Sequence, residues 1–344
     1  MINVGIVGYG FAGRRFHAYL ISLTEGLHLY AVATRDARRQ QQAREEYGCK
    51  VVATLDDLLG DDDVQLIVLA TPHATHRDLA IQAMNAGKHV VTDKVMCLNA
   101  AEADAMIAAR DNNGVMLSVF HNRRWDWDYL TVRQVIEQGL LGQPYLFEQA
   151  VTNYRRPGGW RAEAAQSGGI LYDWGAHLVD QTLQLVTAPV TDVWCSIKYG
   201  GWGVDIGNYA KLVLRFADGT AAEINTGNLV RKSKPRWYVV GDRGTLVKEG
   251  LDPQEPAMLA GNIDAAQENP AHRARVYTEF GGIAGEVVVD TVHGSWTSYY
   301  RNIADVLNNG AELAVTAESV RRAMLVFDAA MESARTGSSV GMTG

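Results

Sequence analysis

Ile2-Asn3-Val4-Gly5-Ile6-Val7-Gly8-Tyr9-Gly10-Phe11-Ala12-Gly13 is an apolar run that closes on Gly-x-Gly-x-x-Gly, and a helix-like stretch follows it to about Leu23. Between a strand and a helix each glycine of that spacing has a use. The first permits a tight turn, the second lets the backbone approach a pyrophosphate, and the third lets helix pack closely on strand, with the helix N-terminus facing the phosphates. The same letters elsewhere would say little. In this setting Gly8, Tyr9, Gly10, Phe11, Ala12 and Gly13 predict a dinucleotide-binding loop.

Outward from the loop the chain keeps alternating. Strands are expected at 27–33, 50–52, 64–70, 88–92 and 115–120, with helices near 56–59, 75–86 and 100–112 between them. Apolar strands separated by helices make a doubly wound parallel sheet, and such sheets bind ligands at the carboxyl ends of their strands. Two polar clusters fall there: Thr71-Pro72-His73 with His76, and Asp93-Lys94.

The end of the second strand selects the dinucleotide. An acidic residue there holds the ribose 2′-OH of NAD, whereas a 2′-phosphate wants a small hydroxyl residue and an arginine. The residues are Thr34-Arg35-Asp36, with Arg38 and Arg39 following. Thr34, Arg35 and Arg38 favour NADP. NAD stays open if the turn is one residue longer, so that Asp36 meets the ribose. Arg39 reads as a solvated helix residue.

Past residue 122 the pattern changes, and the boundary between a first domain (1–122) and a second (123–335) is placed there. The second domain is expected to be α/β on a mainly antiparallel open sheet, with strands at 143–152, 212–216, 222–227, 236–240, 245–248, 275–280 and 286–290. Helices are expected at 127–138, from about 168 to 186, at 298–308 and at 317–334, before a small, polar, flexible tail at 336–344. The helix from 168 carries Asp173 and His177, which share one helix face. An Asp that orients a His gives a general base able to act near neutral pH. A bare Asp-x-x-x-His is more often a surface pair, and the loop at residue 8 is what shifts that balance. Lys94, just after a buried strand, is either a solvated loop residue or, beside a nicotinamide, an ammonium that hydrogen-bonds a reacting alcohol oxygen.

The 344 residues are 47% hydrophobic and 21% charged, with no uninterrupted apolar stretch long enough to span a bilayer. A net charge of −7 disfavours nucleic acid and anionic membranes as partners and leaves a small molecule. The first strand begins at Ile2 with no secretory leader before it, so the expected compartment is the cytoplasm. Cys49, Cys97 and Cys195 are odd in number and widely spaced, which suggests neither disulfides nor zinc.

Taken together, the glycine loop, Thr71-Pro72-His73 with His76, Ala86-Gly87-Lys88-His89-Val90, Lys94, and Asp173-x-Gly175-x-His177 followed by Asp180 resemble the glucose-fructose oxidoreductase/inositol dehydrogenase/rhizopine catabolism (Gfo/Idh/MocA) family over nearly the whole chain. His121-Asn122-Arg123-Arg124-Trp125-Asp126, Tyr154-Arg155-Arg156-Pro157 and residues 296–301 look closest to its NADP-dependent scyllo-inositol dehydrogenase branch. The resemblance implies a Rossmann domain joined to an α/β domain whose open sheet forms a homodimer or homotetramer interface. It also implies hydride transfer between a nicotinamide and a secondary alcohol of a sugar or cyclitol, with no metal. Lys94 would bind the reacting hydroxyl, His177 accept its proton, and Asp173 hold His177 and touch a hydroxyl. Where the family usually reads Glu-Lys-Pro this chain has Asp93-Lys94-Val95, and without the proline a trans Lys94-Val95 bond is expected. Polyol contacts are expected from Asn122, Arg123, Tyr154, Trp160, Arg161, Asp173, Trp174 and His177, with Trp174 the preferred stacking face. Two other readings remain: a redox-neutral sugar lyase or glycosidase that recycles its cofactor, and a non-catalytic nicotinamide-binding regulator.

Overall fold

The computed structural model describes residues 1–342, the side chain of Phe280 excepted. The chain divides into two compact units, Met1–Asn122 with Trp296–Met324, and Arg123–Ser295 with the segment from 325 onward.

The first unit holds six parallel strands: β1 (Ile2–Val7), β2 (Leu27–Ala33), β3 (Lys50–Val52), β4 (Leu66–Leu69), β5 (His89–Thr92) and β6 (Leu117–Val119). Their order is β3-β2-β1-β4-β5-β6, so the chain winds outward from β1 on one side and then returns to build the other. The strands are short and apolar because helices cover both faces. Val4, Ile6, Ile67, Val68, Val90 and Val91 are all fully buried, each contributing about 1.5–3 kcal/mol by leaving water.

The ladder carries on one residue past the strands. Gly8 N donates to Ala33 O (3.0 Å), Ala70 N to Val7 O (2.9 Å), Asp93 N to Leu69 O (2.8 Å) and Phe120 N to Thr92 O (2.8 Å). Gly8, Ala70, Asp93 and Phe120 are therefore held in a row along the carboxyl edge, across the β1/β4 switch point where ligands enter such sheets.

Trp296–Met324 was expected in the second domain and instead belongs to this unit. The helix Thr297–Asn309 buries Tyr299, Tyr300, Ile303 and Ala304. Tyr299 Oη donates to Ser118 Oγ (2.9 Å), which donates to Val315 O (2.8 Å), and Arg321 Nη2 meets Asp104 Oδ2 at 3.0 Å. An apolar stripe states that a helix is covered but not by which sheet, and that is why the pattern misplaced it.

The second unit is a nine-stranded sheet: β7 (Pro144–Thr152), β8 (Val190–Lys198), β9 (Tyr209–Phe216), β10 (Ala221–Gly227), β11 (Trp237–Gly241), β12 (Gly244–Lys248), β13 (Ala274–Phe280), β14 (Ile283–Val289) and β15 (Val340–Gly341). The order is β14-β13-β12-β11-β7-β10-β9-β8-β15, antiparallel except at β7–β10. The helix Ile170–Leu185 packs on β7, β9 and β10. The uncovered face carries Tyr238, Val247, Tyr277 and Val288, brought together by the β11–β12, β12–β13 and β13–β14 registers.

The expected flexible tail is corrected in the same sheet. The last helix runs Ala317–Thr336, then Val340 pairs with Val193 and Met342 N donates to Thr191 O (2.9 Å). Residues 340–342 run along the backbone edge of β8 and cover it. Gly344 and Thr343 lie outside the described residues. Among the described residues no helix is long and apolar enough to cross a membrane, and no group of His, Cys, Asp and Glu is placed to hold a metal.

Candidate active site

The glycine loop divides its glycines by what surrounds them. A Cβ on Gly8 (φ +93°) would lie 2.5 Å from Ala70 O, and one on Gly13 would lie 2.0 Å from Gly8 O. Both positions are closed to any side chain by backbone. Around Gly10 the nearest atom to such a Cβ is Arg39 Nη1 at 4.0 Å, so the approach to the backbone is open. That is the cradle a pyrophosphate needs, and the loop fits the dinucleotide.

Beside it lies a cavity of about 510 Å³ lined by Tyr9, Gly10, Phe11, Arg14, Arg15, Asp36, Arg38, Arg39 and Gln42. Four arginines and one acid line it, but their charges are not equally available. Arg14 is bound to Glu46, with Nε 2.9 Å from Oε1, and Tyr9 Oη also donates to Glu46 (2.9 Å). Tyr9 is buried and its hydroxyl committed, so it can serve a dinucleotide only through its backbone. Asp36 is the N-cap of the helix Ala37–Tyr47: its Oδ1 accepts from Arg38 N (3.0 Å) and Arg39 N (3.1 Å). Arg38 and Arg39 both line the cavity and both are exposed, so Arg39 is a solvated helix residue that also borders it; Asp36 Oδ2, 3.7 Å from Arg39 Nε, draws that side chain back over the helix start. Thr34 is buried, with Gln40 Nε2 on its carbonyl (2.8 Å), and neither it nor Arg35 lines the cavity. Arg14 and Arg15, directly after the last glycine of the motif, could have been singled out from the sequence by that adjacency.

At the end of β4, Thr71 Oγ1 meets Thr75 Oγ1 at 2.7 Å, and His73 is buried with its ring 5.8 Å from that of His76. His76 joins two loops: Nδ1 lies 2.8 Å from Val95 O and Nε2 lies 3.0 Å from Thr71 O. Burial holds its imidazole below the usual range, against the pull of Asp93 and the two carbonyls toward the charged form. At the end of β5, Asp93 Oδ1 accepts from Lys94 N (2.8 Å). Burial pushes the Asp93 carboxyl up, yet His17, Lys94 and His76 together hold it below the usual carboxylate range.

The Lys94-Val95 peptide is cis, which corrects the trans expectation. Proline is one way to specify such a turn. Here it is specified by what surrounds it: Asp93 takes the N–H on one side, His76 takes the carbonyl on the other, and Val95, Met96 and Cys97 are fully buried.

In the second unit, Asp173 and His177 sit one turn apart on the helix Ile170–Leu185. His177 is buried, and the Trp174 ring lies 5.8 Å from its imidazole. Asp173 faces Arg161, whose Nε is 3.9 Å from Oδ1, and Arg161 stacks over Trp160 at 4.5 Å. Arg123 lies 4.2 Å over the Trp174 ring, with its Nη2 donating to Glu255 (2.8 Å) and its Nη1 3.3 Å from Asp126. The guanidinium is thus a shelf beneath Trp174. Tyr154, half-exposed, packs against Trp202 at 5.0 Å and beneath Arg231 at 3.8 Å. Asn122, the last residue of the first unit, is buried, and its Nδ2 has no hydrogen-bond partner among the described residues.

The bearing of that helix is set by polar contacts that sequence reading missed. Arg124 grips Asp180 in a two-point pair (Nε 2.9 Å, Nη2 2.7 Å). Arg236 donates to Gln149 (2.9 Å) and Gln181 (2.5 Å) and pairs with Asp128 (2.9 Å), while Gln149 Nε2 reaches Thr182 Oγ1 (2.7 Å). Side chains forced to satisfy one another in a dry interior fix rotation more strictly than apolar packing does.

Residues 2–121 match the oxidoreductase family NAD-binding Rossmann fold, and residues 129–247 match the GFO/IDH/MocA C-terminal domain. The scyllo-inositol 2-dehydrogenase (NADP(+)) of Bacillus subtilis is 32% identical over 340 residues, 97% of this chain and 94% of that one. The chain belongs to the Gfo/Idh/MocA oxidoreductase family. As a member it is an NAD(P)-dependent oxidoreductase acting on CH–OH groups. An inositol 2-dehydrogenase from Salmonella paratyphi B matches at 31% over 42% of this chain and 44% of that one. Among solved structures, an oxidoreductase from Bacillus subtilis superposes with a TM-score of 0.93 at 30% identity, covering 99% and 98% of the two chains. One from Klebsiella pneumoniae gives 0.88 at 36%, covering 100% and 95%.

Proposed function

We propose that the chain is an NADP-preferring dehydrogenase that moves a hydride between the nicotinamide and a secondary alcohol of a cyclitol or sugar, with scyllo-inositol the first substrate to try. The observation that carries the cofactor preference is the cavity beside Gly10. Arg38 and Arg39 line it, and its single acid, Asp36, spends Oδ1 on two backbone N–H groups, which leaves only Oδ2, facing Arg39, for a ribose hydroxyl. Two guanidinium groups set against one partly committed carboxylate suit a 2′-phosphate. The substrate class is supported by similarity to an NADP-dependent scyllo-inositol dehydrogenase over nearly the full length.

When bound, the nicotinamide supplies or accepts the hydride. In this reading Lys94 hydrogen-bonds the reacting hydroxyl and its ammonium stabilises alkoxide character as it develops. His177 takes the alcohol proton, without which loss of hydride cannot give a carbonyl. Asp173, one turn earlier, orients His177 and meets a second hydroxyl, while Trp174, stiffened from below by Arg123, offers its face to the ring C–H bonds. Asn122, Tyr154, Trp160 and Arg161 supply further polar contacts, and Thr71, Pro72 and His73 border the nicotinamide end. The uncovered face of the second sheet, with Tyr238, Tyr277 and Val288 partly exposed on it, pairs with a second copy.

The test is reduction of NADP and, separately, NAD, followed by absorbance across inositols, aldoses and glycosides, with His177→Ala as control. NADP-preferring reduction lost in the variant supports the proposal. Glycoside cleavage with no net change in reduced cofactor would replace it with the redox-neutral reading, and tight dinucleotide binding with no turnover of any kind would replace it with the regulator.

A further inference from the structure

We propose that His17 and Tyr300 are positioning residues for Lys94: they fix the orientation of the Asp93 carboxylate, whose Oδ1 holds the Lys94 backbone N–H. The inference rests on the role given to Lys94 above and extends it to residues that no motif marks.

His17 lies on the helical stretch that follows the glycine loop and is fully buried. Its Nδ1 is 2.6 Å from Tyr300 Oη, and Tyr300 is fully buried on the helix Thr297–Asn309. On the other side of the ring, Nε2 faces Asp93 Oδ1 at 3.8 Å. The ring has little freedom to turn. Phe120 packs on it at 4.5 Å, and the Phe120 ring is itself boxed by Tyr299 (5.0 Å) and Tyr300 (5.8 Å).

The chemistry of the chain runs in one direction. Burial keeps the Tyr300 phenol protonated, and a phenol has one proton to give. Donated to Nδ1, it leaves the imidazole hydrogen on Nε2, directed at Asp93. At 3.8 Å that N–H acts on the carboxylate as an oriented dipole rather than as a hydrogen bond. The carboxylate is held with Oδ1 between the imidazole and the Lys94 N–H. The charged and titratable groups that influence Asp93 are His17, Lys94 and His76, and those that influence Tyr300 are Tyr299 and Asp93. A purely structural cluster would fix the same tautomer but leave kcat unmoved, so the tautomer tests the relay's geometry and the kinetics test its role.

The first measurement is the ¹⁵N imidazole spectrum of His17 in ligand-free protein, assigned by its loss in His17→Gln. The expected result is an Nε2–H tautomer in the wild type that is lost in Tyr300→Phe; an Nδ1–H tautomer in the wild type overturns the proposal. The second is steady-state kinetics. Tyr300→Phe is expected to lower kcat about tenfold, the worth of one buried hydrogen bond, with KM for the alcohol and the NADP dissociation constant within about twofold. His17→Gln with Tyr300→Phe should then be no worse than His17→Gln alone, since both act through one carboxylate. An unchanged kcat, or losses that multiply, overturns the proposal. Because the tautomer is read without substrate, an Nδ1–H result overturns the relay even where the wild type oxidises no alcohol, so failure of the relay and failure of the dehydrogenase reading are separate results.

Discussion

Substituting alanine at two glycines of the dinucleotide loop should give opposite phenotypes. At Gly13 the added Cβ would lie 2.0 Å from Gly8 O and 3.0 Å from Gly8 C, both backbone atoms, so the helix must move away from β1. Overpacking of this kind costs about 1–3 kcal/mol, and more where backbone cannot yield. At Gly10 no atom lies closer than 4.0 Å to the Cβ, and the backbone there is not left-handed. Gly10→Ala should leave stability unchanged or raise it by about 0.4–1 kcal/mol through the unfolded chain. Its methyl group stands where the pyrophosphate must approach, however, and the dissociation constant for NADP should rise about a hundredfold, close to 2.8 kcal/mol. Thermal melts with and without NADP separate the two. At a concentration 100 times its dissociation constant the ligand stabilises the wild type by about 2.7 kcal/mol, and at the same concentration it stabilises Gly10→Ala by about 0.4 kcal/mol. A Gly10→Ala protein that melts like the wild type and still gains the full ligand shift would refute the reasoning, because the dinucleotide would then not pass over Gly10.

Other expectations are as direct. Arg38→Ala and Arg39→Ala should each weaken NADP binding about tenfold to a hundredfold and leave NAD binding unchanged, measured by titration calorimetry; equal losses for both cofactors would remove the phosphate from that cavity. His177→Ala should lower kcat by about 10²–10⁴, with NADP affinity intact. Burial and the neighbouring Asp128 push the Asp252 carboxyl up to about 6. The folded chain therefore binds a proton there that the unfolded chain has already released, so this stabilising contribution is complete below about pH 4 and lost as the pH rises through 6, on the order of 3 kcal/mol. Urea midpoints of the wild type and Asp252→Asn across that range should diverge, and parallel curves would contradict it. Arg124→Ala should cost about 3–5 kcal/mol by taking the two-point guanidinium partner from the buried Asp180 carboxylate, read as a fall in the denaturation midpoint.

Much of this was open to reading from the letters. The alternation after Gly13 could make only a parallel sheet, and the polar clusters at strand ends fell where such a sheet binds ligands. That Asp173 and His177 lie one turn apart on a helix was legible because helical periodicity is a local property. What escaped was non-local. Which sheet Tyr299 and Tyr300 cover, what Asp36 does with its carboxylate, and why Val95 can follow a cis bond are each decided by partners far along the chain or by backbone donors that leave no mark on composition. Arg236, Gln149 and Gln181 read as ordinary polar residues of a strand and a helix until the fold buries them against each other.

The first unit is built from two pieces of sequence, 1–122 and 296–324, and the second is likewise interrupted. A gene fragment ending at residue 122 would encode the glycine loop but lack the helix that supplies Tyr299 and Tyr300. Swapping a nucleotide-binding half between relatives therefore calls for two coordinated crossovers rather than one. Lineages of this architecture should diversify by point change and loop replacement within an inherited whole, and engineered chimeras should carry the segment from 296 to 324 along with the first 122 residues.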